Sequence, residues 1–449
     1  MTTPPPWTLY EYGYLVSEAN SGRVQDAVAL PDPLFQWLEQ RCLSDGDEYD
    51  RRLLTLRIVG RVKVLQVKNY VGVLALPGGA LIEVLPKTGR GEENHARARE
   101  QLIMMLRALK TFRHIATTPA SVKTSRMPLM DIFIQQFITS VQAILRQGLK
   151  RDYLRREDNL SWMKGKLRVS AQLSKNSVRP DRFQVEYDEY SVERPENRLL
   201  KTAIEKVRRL TRDPSLIRQL HPLQAHFEPV AAVADVAVAF SQVRLDRHMH
   251  HYVQALDWAK LILQGESPHC MQGQANAISL LFPMEAVFES FVAAWMRHHQ
   301  RHYRVETQAR EKSLARFNTR KMFTLKPDIW LRSGTDAEPG PIVCDTKWKM
   351  IQTHKPGFNL AQDDMYQMLA YGLHYLDGEG ELLLIYPEHE GFTQPLPHPF
   401  DLHKEGKPNL RLWVVPFFIG DSITTSRLRL PDSFPASLTP AKQASASVN

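Results

Sequence analysis

Two short stretches, KPDIWLRS (Lys326–Ser333) and PIVCDTKWK (Pro341–Lys349), decide the fold of the C-terminal third. Both are rich in Ile, Val, Leu and Trp, which predicts two neighbouring strands. Side chains alternate between the two faces of a strand, so Asp345 and Lys347 are expected on one side of a sheet. If the two strands pair as a hairpin, Asp328 joins them at one edge of that sheet.

These three charged groups point to a metal-dependent site. Two carboxylates supply the hard oxygen ligands that Mg²⁺ prefers, with Mn²⁺ as an alternative. A bound ion can contact a scissile phosphate and activate a water, and Lys347 is placed to orient or deprotonate that water. Charged residues inside so apolar a strand are costly without partners, which a metal and mutual pairing supply. The spacing alone is a weak pattern, and a salt bridge at a sheet edge remains the alternative.

Two flanking helices add polar candidates to this site. The predicted order is helix (278–300), three strands (303–308, 322–332, 341–348), helix (360–376) and two strands (381–386, 410–418), which gives αβββαβ around a central mixed sheet. On the first helix, Glu289 lies nearer the apolar face than Glu285 and is the preferred extra metal ligand. On the second, Gln367 and Tyr371 are four residues apart on one face, where they are predicted to contact the metal-bound water or DNA phosphates. Structural hydrogen bonding is the alternative for each.

The chain of 449 residues is long enough for two or three domains, and we predict a multidomain α+β protein. Residues 1–92 are predicted to form a small β-rich module, with three strands between 61 and 87; the family resemblance given below implies that this module binds a partner. Residues 93–270 are predicted to be mostly helical, and residues 271–431 to form an α/β nuclease domain. Residues 432–449 are rich in Ser, Ala, Pro and Thr, which predicts a disordered tail.

The net charge of +9 and the pI of about 9.3 favour an anionic partner, and nucleic acid is the usual one. A basic stretch near the start of the helical region supplies candidate contacts to the DNA backbone, with Tyr153 and Trp162 interleaved. These candidates are Arg151, Arg155, Lys164 and Lys166. The alternative is an ordinary solvated surface, since Asp152, Glu157 and Asp158 partly neutralise the stretch.

Other features narrow the function classes. The three cysteines are far apart, so neither a zinc site nor a disulfide framework is indicated, and a reducing cytoplasm is expected. No apolar run is long enough for a membrane span. The sequence contains no GxxxxGK[ST] phosphate loop, so we expect no nucleotide hydrolysis by the chain itself.

The segments KPDIW, CDTKWK and QMLAY resemble the PD-(D/E)xK nucleases, in the branch with a QxxxY motif. The chain as a whole resembles the McrC family, the nuclease subunit of McrBC-type modification-dependent restriction systems. The wider resemblance rests on segments outside the site, which are YEYG (Tyr10–Gly13), VKNYVGVLALPGGALIEVLPK (Val67–Lys87), RQGLKRDY (Arg146–Tyr153), MKGKL (Met163–Leu167), YDEYSVERPENRLLK (Tyr187–Lys201) and FPMEAVFESFV (Phe282–Val292).

The resemblance implies a division of labour. A separate AAA+ GTPase of the McrB type forms a ring, recognises double-stranded DNA and translocates it, and the N-terminal part of the McrC-like chain inserts into the ring and stimulates hydrolysis. By motif position, Asp328 and Asp345 are implied to be metal ligands and Lys347 the catalytic lysine. Glu289 and Gln367 are implied to be supporting site residues. For the ring-stimulating contact, only the segment Lys68–Tyr70 is a candidate, and a structural turn is the alternative.

Two other functions remain open at this stage. The chain is either a non-catalytic assembly subunit that activates an NTPase ring, or a stand-alone repair nuclease. The first is favoured by the length of chain outside the nuclease region. The second would be separated from a partner-driven nuclease by whether the adjacent gene encodes an AAA+ protein with a DNA-reading domain.

Overall fold

The computed structural model describes residues 7–43, 53–89, 95–109, 127–264, 280–300, 302–333, 340–402, 410–435 and 438. The strands, in chain order, are β1 (Trp7–Tyr10), β2 (Tyr14–Ser17), β3 (Ala27–Leu30), β4 (Leu54–Val59), β5 (Val62–Val67), β6 (Tyr70–Ala75), β7 (Leu81–Leu85), β8 (Asp152–Leu160), β9 (Lys166–Leu167), β10 (Phe183–Ser191), β11 (Leu280–Pro283), β12 (Tyr303–Thr307), β13 (Ser313–Phe317), β14 (Arg320–Thr324), β15 (Ile329–Ser333), β16 (Ile342–Thr346), β17 (Gly380–Pro387), β18 (Phe400–Asp401), β19 (Leu410–Phe418) and β20 (Arg427–Leu428). The helices are α1 (Asp32–Leu43), α2 (His95–Leu106), α3 (Leu129–Gln147), α4 (Val169–Lys175), α5 (Pro195–Leu210), α6 (Pro214–His226), α7 (Val236–Ser241), α8 (His250–Gln264), α9 (Met284–His299) and α10 (Gln362–Tyr375).

The N-terminal region is β-rich, as predicted, and contains two four-stranded sheets. One has the order β3-β2-β5-β4 and the other the order β1-β7-β6-β11. The fourth strand of the second sheet comes from far along the chain, where Leu280–Pro283 pairs antiparallel with β6. A Cβ at Gly72 would lie 2.0 Å from the Leu280 carbonyl oxygen, and Gly72 has a φ of 126°. Glycine is therefore required where β11 crosses β6.

The described residues of the middle of the chain are mainly helical, but they also include the strands β8, β9 and β10, which the predicted helical region did not contain. Helix α3 buries Phe133, Phe137, Val141 and Ile144, whose spacing is that of one helix face. Helix α5 begins with Pro195, whose fixed φ suits a first helical position. Helices α3, α5, α6 and α8 pack into one hydrophobic core, which continues into the C-terminal region.

The basic stretch predicted as a DNA contact belongs to a separate three-stranded sheet of order β8-β10-β9. Strands β8 and β10 pair antiparallel along their whole lengths. Most side chains of β8 are exposed, as are Tyr153 and Trp162. This sheet therefore stands largely outside the hydrophobic cores.

A seven-stranded mixed sheet forms the C-terminal region, with the order β12-β15-β16-β17-β19-β18 and β20 paired to β19. Strands β12, β15 and β16 are antiparallel neighbours, whereas β16, β17 and β19 are parallel. Alternate residues of β16 belong to different cores, since Cys344 packs with helix α9 and Val343 packs with helix α10. The two helices therefore cover opposite faces of the sheet.

Three details differ from the sequence prediction. The helix predicted from residue 278 begins at Met284, because the preceding residues form β11. The strand predicted over 322–332 is wrong, since the structure has the hairpin β13–β14, a break and then β15. The boundary predicted for the disordered tail, at Asp432, also differs from the structure, because two residues after it are packed. Phe434 packs on Trp413 with ring centroids 5.5 Å apart, and Leu438 is buried; residues 436–437 and 439–449 lie outside the described residues.

Candidate active site

Antiparallel pairing of β15 with β16 places the two acidic segments side by side. The register matches Ile329 with Cys344, so Asp328, one residue before β15, lies beside the end of β16 that carries Asp345. This agrees with the hairpin pairing expected from the sequence. The charged residues therefore meet where β16 ends, at one edge of the mixed sheet.

Asp345 and Lys347 form the buried half of the site. The Lys347 Nζ lies 2.6 Å from Asp345 Oδ2, and Asp345 is only 1% exposed. Lys347 Nζ also donates to Gln367 Oε1 at 2.9 Å and lies 3.9 Å from Asp364 Oδ1. Within the described residues, Asp345 Oδ1 has no hydrogen-bond partner. Buried carboxylate oxygens usually have a hydrogen-bond or ion partner, so Asp345 Oδ1 is an available acceptor at this site.

Gln367 and Tyr371 continue this contact chain into the body of the domain. Gln367 Nε2 donates to the Tyr371 hydroxyl at 2.7 Å, and that hydroxyl donates to the Lys326 carbonyl at 2.9 Å. Tyr371 is 3% exposed. The structure therefore does not support the predicted DNA contact of Tyr371, because its hydroxyl is already engaged inside the protein. Gln367 and Tyr371 instead fix the position of Lys347 relative to the segment before Asp328.

Asp328 and Glu289 form the other half of the site. Asp328 Oδ2 accepts from the backbone N–H and from the hydroxyl of Thr346, both at 2.8 Å. Gln308 Nε2 donates to Glu289 Oε1 at 2.7 Å and approaches Asp328 Oδ1 at 3.4 Å. Thr346 points away from the face of Asp345 and Lys347, because side chains alternate along β16. Asp328 is thus bonded to Thr346, the residue between Asp345 and Lys347.

Gln308 and Asp364 are site residues that sequence reasoning missed. Gln308 follows β12 and has a left-handed φ of 52°, a strained value for this residue type that is common at functional sites. Asp364 is buried and pairs with Lys349 at 2.8 Å. Asp364 lies three residues before Gln367 in DDMYQ, so both lie on one face of the helix. This spacing could have identified Asp364 from the sequence. No local pattern marks Gln308.

The electrostatics show how densely negative charge is concentrated here. Burial, reinforced by the charge of Asp328, raises the pKa of Asp345 to about 7 and that of Glu289 to about 7. Burial also raises the pKa of Asp328, although its bonds to Thr346 oppose the change. Burial disfavours the ammonium of Lys347, but the neighbouring Asp345 carboxylate outweighs it, and the pKa of Lys347 is raised. The single ammonium of Lys347 therefore does not offset the negative charge of the three carboxylates.

Comparison with known proteins gives the family of this chain. The family model described as "McrBC 5-methylcytosine restriction system component" matches residues 65–387, well over half of the chain. The chain belongs to the McrBC family. The resemblance to McrC drawn from the sequence is thereby confirmed.

Solved structures add the fold of this McrBC-family chain. One chain of a refined half-complex, from a tetradecameric assembly of Thermococcus gammatolerans McrB AAA+ hexamers with bound McrC, matches with a TM-score of 0.65. The identity is 16%, and the match covers 91% of this chain and 94% of the other. A chain of the cryo-EM structure of the Thermococcus gammatolerans McrBC complex matches with a TM-score of 0.47 and 19% identity, covering 69% and 90%. No curated protein matches.

The donor set of the McrBC-family chain suits a divalent cation. Asp345, Asp328 and Glu289 present only oxygen atoms, which are the ligands of Mg²⁺ and Mn²⁺. Among the described residues, however, no three His, Cys, Asp or Glu groups are already arranged around a common point that holds an ion. Lys347, Thr346 and Gln308 occupy several of the carboxylate oxygens instead. The free Oδ1 of Asp345 and the raised carboxylate pKa values make the residues fit a metal.

A buried contact ties the N-terminal region to the site. The Trp348 Nε1 donates to the Glu11 carboxylate at 2.9 and 3.1 Å, and Lys87 Nζ donates to the Trp348 carbonyl at 2.9 Å. Trp348 directly follows Lys347 and packs on Phe288, next to Glu289, with ring centroids 5.1 Å apart. Burial raises the pKa of Glu11 to about 7, although Lys87 opposes the change. Glu11 lies in the YEYG segment, the sequence signal for this contact.

The remaining sequence candidates lie elsewhere. Arg151, Arg155, Lys164 and Lys166 belong to the three-stranded sheet and its flanks, not to the sheet that bears Asp345. Arg155 pairs with Glu186, and Lys164 Nζ lies 3.7 Å from the centroid of the Tyr187 ring. The segment Lys68–Tyr70 joins β5 to β6, and its Asn69 carbonyl accepts from the backbone N–H of Met284 at the start of α9. Among the described helices, none combines the length and apolar character that a membrane crossing needs.

Proposed function

We propose that this chain is the metal-dependent endonuclease subunit of an McrBC-like restriction and defence system. It cleaves both strands of DNA when driven by a partner AAA+ GTPase of the McrB type, whose hydrolysis it stimulates. Asp345 carries the proposal, because this buried carboxylate is paired with Lys347 yet keeps one oxygen without a partner, beside Asp328 and Glu289. Family membership and a fold similar to a chain of the McrB–McrC assembly support the partner assignment.

Asp345, Asp328 and Glu289 would hold the ion, Mg²⁺ or Mn²⁺. A bound ion supplies Lewis-acid activation of water and neutralises charge on the scissile phosphate. Lys347 lies beside these carboxylates with its ammonium held by Asp345 and Gln367, so it orients the attacking water or stabilises charge on the phosphate oxygens. Tyr371 holds Gln367, and so restricts Lys347 to one position.

Plasmid cleavage by the reconstituted complex tests the proposal. The chain is purified with an McrB-type partner and assayed with Mg²⁺ and GTP. Asp345→Ala and Lys347→Ala are expected to abolish double-strand cleavage while retaining stimulation of GTP hydrolysis. Asp363→Ala, on the exposed side of α10, is the matched control. Cleavage by the Asp345 and Lys347 variants at the parent rate would refute the site.

A non-catalytic assembly subunit is the second candidate. It is favoured by the absence, in the described part of the chain, of three ligands already arranged around an ion. This function predicts stimulation of partner GTP hydrolysis with no strand scission at any Mg²⁺ or Mn²⁺ concentration. Cleavage without any partner would instead favour the stand-alone repair nuclease.

The contacts to partner and DNA complete the proposal. Arg151, Arg155, Lys164 and Lys166 remain proposed contacts to the DNA backbone, and Lys68–Tyr70 the proposed contact to the ring. A cytoplasmic location is proposed as well, because Cys42 and Cys344 are free buried thiols and the substrate is DNA.

A further inference from the structure

The hairpin β13–β14 was not predicted from the sequence, and it projects from the site itself. It begins just after Gln308, which bonds Glu289, and the chain returns from it to Asp328. Its two strands pair antiparallel, with Ser313 opposite Thr324 and Phe317 opposite Arg320. Gln308 and Asp328 therefore lie at the two ends of the exposed β13–β14 hairpin.

The surface of this hairpin is basic and aromatic. The segment 310–326 has six basic residues and one acidic residue, Glu311. The basic residues are Arg310, Lys312, Arg316, Arg320, Lys321 and Lys326, and all are exposed. Phe317 is 75% exposed and Phe323 is 69% exposed, with Leu314 and Met322 also exposed. An isolated two-stranded hairpin with so much apolar surface in water requires a partner.

The charges of this hairpin are also free to bind. Among the described residues, neither Arg316 nor Arg320 forms an ion pair, and Lys321 Nζ donates only to the Glu311 backbone carbonyl at 3.2 Å. The basic residues of the three-stranded sheet behave differently. There, Arg156 pairs with Glu189 and Arg168 pairs with Glu157.

The base of the hairpin is fixed to helix α10. The Tyr375 hydroxyl lies 3.0 Å from the Ala309 carbonyl and 3.1 Å from the Leu325 carbonyl. The Tyr371 hydroxyl donates to the Lys326 carbonyl, one residue further along. Because Tyr371 also holds Gln367, the helix that positions Lys347 sets the direction of the hairpin as well.

We propose that the β13–β14 hairpin is a DNA-binding ribbon that enters a groove of the duplex beside the phosphate held at Asp345 and Lys347. This inference rests on the proposed nuclease function and names the element that seats its substrate. About six residues separate base and tip, so the ribbon reaches about 20 Å from the site. A two-stranded ribbon fits the major groove, which is about 12 Å wide. Arg316, Arg320 and Lys321 neutralise phosphates, and Phe317 contacts bases.

DNA fits this surface better than a protein partner does. Five of the six basic residues lie between 310 and 321, against one carboxylate, so the ribbon carries a dense positive field. DNA next to the proposed cleavage site already carries the negative charges that would pair with these basic residues. A protein surface would have to present several carboxylates to offset the same residues.

Site-specific photocrosslinking in the whole complex tests the proposal. A benzophenone amino acid replaces Phe317 in the Lys347→Ala background, so that DNA is held but not cut. A second chain carries the probe at Val238, an exposed residue of helix α7 that lies outside both proposed DNA-contact surfaces. With the McrB-type partner, a GTP analogue and labelled duplex, the Phe317 probe is expected to capture DNA at least about tenfold more often than the Val238 probe. Capture of the partner subunit by the Phe317 probe, or of neither molecule, overturns the proposal.

Charge removal gives an independent measurement. The double variant Arg316→Ala/Arg320→Ala is expected to reduce the salt dependence of duplex binding, as the slope of log K against log salt, by about 2. The matched control is Arg156→Ala/Arg168→Ala, which removes two charges that carboxylates already neutralise. An equal loss in both variants contradicts a specific role of the hairpin.

Failure of this proposal is distinguishable from failure of the nuclease function. If the parent complex cleaves DNA but the Phe317 probe does not reach it, the hairpin assignment is wrong and the nuclease stands. If the probe captures DNA but the parent never cleaves it with Mg²⁺ or Mn²⁺, the ribbon stands and the nuclease does not.

Discussion

The two sides of the candidate site, one with Asp345 and the other with Asp328, satisfy buried carboxylates by different means. On one side, Asp345 is held by the cation of Lys347. On the other, Asp328 is held by neutral donors, the N–H and hydroxyl of Thr346 and the amide of Gln308. Neutral donors are easily displaced by a cation, whereas a buried ion pair resists replacement. If the site holds the proposed ion, we expect the contacts of Asp328 to rearrange on binding and the Asp345–Lys347 pair to remain in place.

Lys347→Ala is the change expected to have the largest effect. It removes the only cation within hydrogen-bonding distance of Asp345 among the described residues, so cleavage should fall by at least about a hundredfold. The metal-free protein should also lose about 3 kcal/mol of unfolding free energy, because a buried carboxylate is left unpaired. Plasmid cleavage and urea unfolding measure the two effects. Cleavage at parental rate would show that the Asp345 side is not the catalytic one.

Glu289→Gln tests the other side. The substitution keeps an acceptor for Gln308 but removes a charge, so the Mg²⁺ concentration for half-maximal cleavage should rise about tenfold. The maximal rate should change less, since Lys347 is untouched. Glu285→Gln, one turn away and exposed, is the control. An unchanged Mg²⁺ requirement would remove Glu289 from the metal site.

The pH dependence of stability tests whether Asp345 and Glu289, one from each side of the site, are protonated in the folded state. Burial raises the pKa of Asp345 and of Glu289 to about 7, so the folded state binds more protons than the unfolded state between about pH 4 and pH 7. The stabilising contribution is therefore present at low pH and is lost as the pH rises through 7. The melting temperature without metal should fall between pH 5.5 and pH 8.5.

Magnesium should reverse that loss, because a bound cation favours the charged carboxylates. The increase in melting temperature on adding Mg²⁺ is therefore expected to be larger at pH 8.5 than at pH 5.5. The double variant Asp345→Asn/Glu289→Gln should show a flatter pH profile and no metal response. A metal response that is equal at both pH values would contradict burial of these groups.

Tyr371→Phe is expected to have the smallest effect on cleavage and stability. It breaks the hydroxyl link between Gln367 and the Lys326 carbonyl, and should cost about 1 kcal/mol of unfolding free energy. Cleavage is expected to fall only a few-fold, because Lys347 keeps its pair with Asp345. Tyr366→Phe, exposed on the same helix, serves as the control. A loss as large as that of Lys347→Ala would give Tyr371 a direct part in the reaction.

Local sequence patterns predicted most of the mixed sheet and the meeting of Asp328, Asp345 and Lys347. Alternation along β16 and hairpin pairing with β15 are short-range consequences of the sequence, so these residues needed no tertiary information. The β-rich N-terminus and the helical middle were predictable for the same reason. The interruption of the expected strand 322–332 was missed, because Phe323 and Met322 have strand character but form an exposed hairpin.

The features that could not be predicted from the sequence depend on long-range contacts or on backbone conformation. Pairing of β11 with β6 joins residues about two hundred positions apart, and no turn or periodicity announces it. Gln308 enters the site through a backbone conformation, not a motif. Leu438 and Phe434 are apolar residues in a stretch whose composition indicates disorder, and composition does not show which side chains find a core.

The contact of Glu11 and Lys87 with Trp348 has a consequence for how such chains can diverge. Residues far apart in the sequence share one desolvated polar cluster next to Lys347, so a recombination event that exchanged only the last third between two homologues would leave that cluster mismatched. The N-terminal region and the C-terminal sheet must therefore be inherited together.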